Sequence, residues 1–177
     1  MRNIFFTSDT HFWDADVIGD DKRTFSSTEE MNARIVDGWN SVVRPGDLAY
    51  HLGDLTFAYG YRLERILRRL RGAIVLVVGN HDKIGLLMNL GHRFHDVRLW
   101  KLFHRRDYGV EFLASHVPQK RDAFPGRAKF NVHGHLHGDL VMRDQSIDHR
   151  YINVCVDRRD FTPISIDQIR QEANAVS

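Results

Sequence analysis

Short apolar runs punctuate this chain, and most of them end in a polar turn that contains glycine. "NIFF" (3–6), "LAYHL" (48–52) and "AIVLVV" (73–78) each predict a strand. The last is apolar on both faces, which predicts a buried central strand. In the second half, "VRLWKLF" (97–103), "VEFLAS" (110–115), "KFNVH" (129–133) and "YINVCV" (151–156) predict more strands. Helical spacing takes over between the early runs. Met31, Ile35, Val36 and Trp39 share one face of a helix over 28–43, with Ser27 and Glu30 reading as its capping box. Leu63, Ile66, Leu67 and Leu70 predict a helix over 61–71 that Gly72 stops. A third helix is expected over 83–90, and a fourth near 166–174 behind a Ser165/Gln168 cap. Alternating strands and helices, then a strand-rich half, predict an α/β (or α+β) fold with two packed sheets. No repeat, linker or low-complexity tract divides the chain, so one domain over 1–177 is expected.

The residues just past each strand are more informative than the strands. Asp9 and His11 come after the first run, Asp54 after the second, and Asn80, His81 and Asp82 after the third. His116 comes after "VEFLAS", and His135 and His137 after "KFNVH". Ligands of open sheets bind beyond the C-terminal ends of the strands, so these distant residues should converge on one edge. Asp9/His11 and His135/His137 are i,i+2 pairs, which an extended chain points to one side. Gly53, Gly79 and Gly134 stand just before candidate ligands, where the backbone must turn sharply.

Composition narrows the class. The 177 residues are 42% hydrophobic and 27% charged, enough for a real core, and the net charge of +2 suits an anionic substrate without marking a nucleic-acid binder. One cysteine, Cys155, rules out an internal disulfide and suits a reducing compartment. No run approaches the roughly 20 apolar residues of a membrane span, so a cytoplasmic protein without a membrane partner is expected.

The donors comprise two carboxylates, four imidazoles and one amide oxygen: Asp9, Asp54, His11, His116, His135, His137 and Asn80. That is too many for one tetrahedral zinc and includes no thiolate. It suits two adjacent cations sharing a carboxylate, with Mn²⁺, Fe or Zn²⁺ fitting better than Ca²⁺ or Cu. Such pairs clamp the attacking and leaving oxygens of displacement at phosphorus. Each motif alone has a plainer reading as a polar turn or strand edge, but five in strand-end positions do not.

The ordered series "DTH" (9–11), "GD" (53–54), "GNHD" (79–82), "SH" (115–116) and "GHLH" (134–137) resembles the calcineurin-like metallophosphoesterase family, over roughly residues 4–157. The resemblance implies two packed mixed β-sheets flanked by helices in a four-layer sandwich, and with no large insertion after any motif no cap domain is expected. It implies that Asp9, His11, Asp54 and His137 hold one metal, and that Asp54, Asn80, His116 and His135 hold the other. Two divalent cations are implied, Mn²⁺ foremost, with Fe, Zn²⁺ or Ni²⁺ as alternatives. A hydroxide between them would be the nucleophile, and His81 would protonate the leaving oxygen or stabilise the transition state. His133 is expected to support the site from behind or to belong to the core.

Two positions depart from the family pattern. Phe57 stands where many members carry an acidic residue that orients the catalytic histidine, so either Asp82 or a main-chain carbonyl orients it here or it is a weaker acid. Asp14 stands where small bacterial and phage relatives read "DTHFGH", which predicts a shifted substrate preference. In the loop 118–129, Lys120, Arg121 and Arg127 are candidates for substrate phosphates, and Asn153 for support of the site. Arg62, Arg65, Arg68, Arg69 and Arg71 read as a solvated helix face. His51 is expected to satisfy a buried hydrogen bond, and His92, His95, His104 and His149 to be core or surface residues.

The function expected is metal-dependent hydrolysis of a phosphoester, as a phosphodiesterase on nucleotides or other small organic diesters rather than a phosphomonoesterase. The partner is then a small phosphoester, with no stable nucleic-acid complex. Two alternatives are a non-catalytic scaffold of the same fold that binds a protein partner, and a nuclease.

Overall fold

The computed structural model describes residues 2–19, 23–58, 60–83, 85 and 93–176. Its strands form two main sheets. The first contains β1 (Ile4–Thr7), β2 (Leu48–His51), β3 (Ala73–Val77), β4 (Asp96–Arg98) and β11 (Ile164–Ser165), in the order β11-β1-β2-β3-β4. β1 to β4 run parallel, and β11 runs antiparallel to β1. The second contains β5 (Trp100–Phe103), β6 (Phe112–Ser115), β7 (Phe130–His133) and β10 (Tyr151–Asn153), in the order β10-β7-β6-β5. There only β5 is antiparallel. The C-terminal ends of β1, β2 and β3 therefore share an edge, as do those of β6, β7 and β10.

Alternation along the strands makes two cores. Phe5, Ala49, Ile74 and Leu76 face α1 (Thr28–Val42) and α2 (Gly60–Arg69), meeting Met31, Ile35, Trp39, Leu63 and Ile66. Phe6, Tyr50, Val75 and Val77 face the other way, onto Phe103, Phe112, Ala114, Val132 and Ile152 of the second sheet. A sheet covered on both faces explains why "AIVLVV" carries no polar side. Phe103 and Phe112 stack at 4.5 Å in the middle of this second core.

Most boundaries lie within one or two residues of the expected ones. The predicted strand 97–103 is instead two strands, β4 and β5, one in each sheet, with Leu99 as the crossing point. The predicted strand 151–156 stops at Asn153, and a 3₁₀ turn comes next at Val156–Arg158. The helix expected over 83–90 lies almost wholly outside the described residues. α3 (Arg105–Tyr108) and the hairpin of β8 (Met142–Arg143) and β9 (Ser146–Ile147) carried no apolar pattern. The hairpin is set by its turn, where Asp144 and Gln145 both take positive φ, 48° and 65°, as a two-residue hairpin turn requires.

The α1 cap is only half the expected box. Ser27 Oγ accepts from the Glu30 N–H at 3.1 Å, but the Glu30 carboxylate turns to the N–H and hydroxyl of Ser26. At α4 (Ile166–Asn174) both halves of the Ser165/Gln168 box are present.

Candidate metal centre

Beyond the strand ends, the ligand-bearing loops are laced together by their backbones. Asp9 N–H donates to Gly53 O at 2.9 Å, His11 N–H to Asp54 O at 3.1 Å, and Phe12 N–H to Leu55 O at 3.0 Å. The loop after β7 is tied to that after β6 by Gly134 N–H on His116 O, at 3.0 Å. A bridge between Ser8 and Cys155 joins the two sheets at this edge.

Six of the expected ligands fall into two groups of close side chains. Asp9, His11 and His137 form one; Asp54, His116 and His135 form the other; within each, ligand atoms lie within 4.8 Å of one another. Asp54 Oδ2 lies between them, 3.2 Å from His116 Nε2 and 3.8 Å from His11 Nε2. The seventh, Asn80, presents its Oδ1 to His116 Nε2 at 2.8 Å. The residues fit divalent cations on one further observation. His11 Nε2 is buried beside Asp54 and finds no hydrogen-bond partner among the described residues, which leaves its lone pair free for an ion.

The other ring nitrogen of three histidines is occupied in a way that points Nε2 inward. His11 Nδ1 donates to Asp14 at 2.9 Å, His137 Nδ1 to Asp157 at 3.2 Å, and His116 Nδ1 to the Leu52 carbonyl at 2.8 Å. Asp14 is thus a partner of His11, which gives a structural reason for the departure at this position.

Arg23 and Asp157 were not legible as site residues. The buried Arg23 spans 134 residues to Asp157 with two hydrogen bonds of 2.8 and 2.9 Å, and also donates to the carbonyls of Asp9 and Thr10. Asp157 further accepts from Cys155 Sγ at 3.0 Å. Burial alone would raise the Asp157 carboxyl, but His137 and Arg23 together hold it well below the usual carboxylate range. Burial beside two carboxylates pushes the Cys155 thiol well up, so it is protonated and donates.

Electrostatics within the centre obey the same logic. Burial would raise Asp54, yet hydrogen bonds from His116 and the His81 N–H, with the nearby imidazoles, bring it down to about 2. Burial lowers His11 against the pull of Asp14, and lowers His135 beside His116. Burial also acts to lower His116, but the Asp54 and Asp9 carboxylates raise it on balance.

The loops themselves are strained. Asp9, His11, Asp54, His135 and His137 all take positive φ, between 47° and 70°. Non-glycine residues rarely do so, and such strain collects where surrounding structure enforces a functional geometry. Two glycines before candidate ligands, Gly79 ahead of Asn80 and Gly134 ahead of His135, answer to crowding. A Cβ on Gly79 would lie 2.2 Å from Asp54 Oδ1, and one on Gly134 would lie 2.3 Å from Asp9 Oδ2.

The remaining expected residues divide between the centre and its surroundings. Asp82 does not turn its hydrogen bonds to the His81 ring, as expected for an orienting group. Its buried carboxylate accepts from the N–H groups of Asp54, Leu55 and Gly79, which braces the second and third ligand loops. His81 is exposed, and its ring packs 5.2 Å from Phe57 and 5.7 Å from His11. Phe57, stacked on His11 at 5.5 Å, is therefore an apolar wall for both rings in place of an acidic partner. Arg121 does not extend to the centre: Asp148 takes its guanidinium, in a cleft of about 890 Å³ whose wall includes Phe130 at the start of β7. Lys120 is the neighbour of Arg121 in the chain, and the Arg127 backbone N–H donates to Glu111 at 3.0 Å. Asn153 Nδ2 donates to the carbonyls of His137 and Asp139, supporting the last ligand loop as expected. His133 is buried in β7, where burial lowers it to about 4. His51 bonds Thr10 Oγ1 at 3.0 Å in the interior.

A family model for calcineurin-like phosphoesterases matches residues 2–169. The chain belongs to that family. Among curated proteins, this calcineurin-like phosphoesterase is similar to the uncharacterized protein MJ1445 of Methanocaldococcus jannaschii, with 34% identity over 96% of this chain and 90% of that one. It is also similar to the gene 66 protein of Mycobacterium phage L5, at 25% identity over 89% and 87% of the two chains. Among solved structures, a protein of unknown function from Aquifex aeolicus, AQ665, superposes with a TM-score of 0.74 at 26% identity, covering 97% of this chain and 99% of that one. Among the described residues, no helix of this phosphoesterase is long and apolar enough to cross a membrane.

Proposed function

We propose that this phosphoesterase hydrolyses small organic phosphodiesters, nucleotide diesters among them, at a dinuclear centre. The observation that carries the reading is the position of Asp54 between two groups of ligands, beside an exposed histidine. Asp9, His11, Asp54 and His137 would hold one divalent cation, and Asp54, Asn80, His116 and His135 the other, with Mn²⁺ suiting the oxygen- and imidazole-rich set. Bound there, the cations would neutralise phosphoryl charge and make water a competent nucleophile near neutral pH.

The chain's own contribution is positional. Asp14, Asp157 and the Leu52 carbonyl fix which nitrogen each histidine turns inward. The His81 N–H donates to Asp54 Oδ1 at 2.9 Å, which anchors the loop that carries the His81 ring. With Phe57 limiting its swing, that ring is set to donate to a non-bridging oxygen or to protonate the leaving oxygen. Arg23 reaches the ligand loops, but its guanidinium is committed to Asp157 and the backbone. Among the described residues, the exposed His81 is then a donor beside the centre that a phosphoryl oxygen can reach, and with the Arg23 guanidinium committed the site suits the one charge of a diester better than the two of a monoester.

The test is a paired assay of bis-p-nitrophenyl phosphate and p-nitrophenyl phosphate, with Mn²⁺ and after chelation. Chelator-sensitive turnover that favours the diester is expected. Faster monoester cleavage would make the protein a phosphatase, and turnover that survives chelation would overturn the metal assignment.

A further inference from the structure

The crossing between the two sheets, Arg98–Leu99–Trp100, touches two of the loops of the second candidate group, those of Asn80 and His116. On one side, Val78 N–H donates to Arg98 O at 2.8 Å, two residues before Asn80. On the other, Trp100 pairs with Ser115, the residue before His116. Beside the charged Arg98, the apolar side chains of this edge are exposed: Leu99 is 71% exposed, Trp100 54% and Val117, just past His116, 41%. Exposed apolar side chains grouped beside a polar centre mark a binding surface. Behind them lies a cleft of about 290 Å³, bounded by Leu99, Trp100, Leu113, Gln119 and Pro125. Antiparallel pairing puts Trp100 and Leu102 on the same face as Ser115 and Leu113, so the cleft opens on the outer side of the second sheet at its ligand-bearing end.

We propose that Leu99 and Trp100 form a subsite for a planar aromatic group esterified to the substrate phosphate, a nucleobase or an aryl ring, which stacks on the indole. The inference rests on the phosphoesterase reading of the centre and adds to it which class of ester is preferred. Size and continuity decide the occupant. A cleft this small suits one ring system rather than the face of a folded partner, and it adjoins the loops that carry Asn80 and His116. Stacking on tryptophan is tolerant of ring identity, so the subsite selects aromatic over alkyl esters without choosing among bases.

The test uses the full-length, Mn²⁺-loaded protein and measures equilibrium binding of inorganic phosphate and of adenosine monophosphate, a product-like ligand. Trp100→Ala is expected to weaken the nucleotide about tenfold and to leave phosphate unchanged, with Trp100→Phe recovering most of the loss. Equal nucleotide affinity in wild type and Trp100→Ala overturns the subsite. So does equal weakening of phosphate, because the segment would then be holding the ligand loops. A change from dimer to monomer in Trp100→Ala, with nucleotide affinity unchanged, would also overturn it and make the patch an interface. Wild type that binds neither ligand would sink the phosphoesterase reading first, and that result is distinct from the others.

Discussion

His11, His116 and His137 each present Nε2 to the centre because Nδ1 is already engaged, by Asp14, by the Leu52 carbonyl and by Asp157. Two of these partners are carboxylates, and partners of this kind are worth about 10- to 100-fold in metal affinity. Asp14→Ala is therefore expected to weaken Mn²⁺ binding by that order, measured by competition with a chromophoric chelator. Asp14→Asn keeps an acceptor for Nδ1–H and should lose less; equal loss in both variants would mean that charge, not orientation, is what Asp14 supplies. At His81 the expectation differs. His81→Ala should lower kcat by about 10² or more, the range for a general acid, while metal content stays at wild-type level. Loss of metal from that variant would instead place His81 among the ligands. The seven candidate ligands were legible because each comes just after a strand. Asp14, Arg23 and Asp157 were not. An i,i+3 contact from Asp14 depends on the positive φ of His11 and Trp13, and Arg23 meets Asp157 only through the closing of the two sheets.

The ligand loops are held by contacts that side-chain type alone does not reveal. Asp82 looks like part of a catalytic motif, yet it satisfies three backbone N–H groups from two loops. Replacing it with alanine strands those donors, at about 1–3 kcal/mol for each that stays buried. Asp82→Ala should thus lose about 3 kcal/mol or more in urea unfolding, and a loss below about 1 kcal/mol would contradict the bracing role. Gly79 shows a related limit of sequence reading. Its turn was legible, but the reason for it is the approach of Asp54, whose Oδ1 would lie 2.2 Å from an added Cβ. The half-formed box at Ser27 fails for a local reason, since Ser26 offers Glu30 two donors and takes it from the cap. The short hairpin and β11 escaped notice because two-residue strands carry no period to read.

Across the whole molecule, two packed sheets were readable from strands alternating with helices and then a strand-rich half; what the structure adds is that Phe5 and Phe6, and Ile74 and Val75, each send one side chain to each core. Closing those sheets also traps His51, whose Nε2–H donates to Thr10 because the Thr10 hydroxyl is spent on Leu55 O at 2.7 Å. Burial lowers His51 from 6.5 to about 3. Between those values the unfolded chain binds a proton that the folded chain does not. Folding stability must therefore fall as pH drops from 6.5 towards 3, by up to about 1.4 kcal/mol per pH unit from this group, and is unaffected by it above 6.5. His51→Gln should flatten that part of the profile in urea melts between about pH 7 and 4.5; an unchanged slope would contradict the buried neutral histidine. The two sheets matter most for bringing two groups of candidate ligands together around Asp54. Equilibrium dialysis with Mn²⁺ on the wild type and on Asp54→Asn measures that convergence directly. Two ions per chain are expected in the wild type and no more than one in the variant. One ion or none in the wild type, or two retained in the variant, would contradict a dinuclear centre bridged by Asp54.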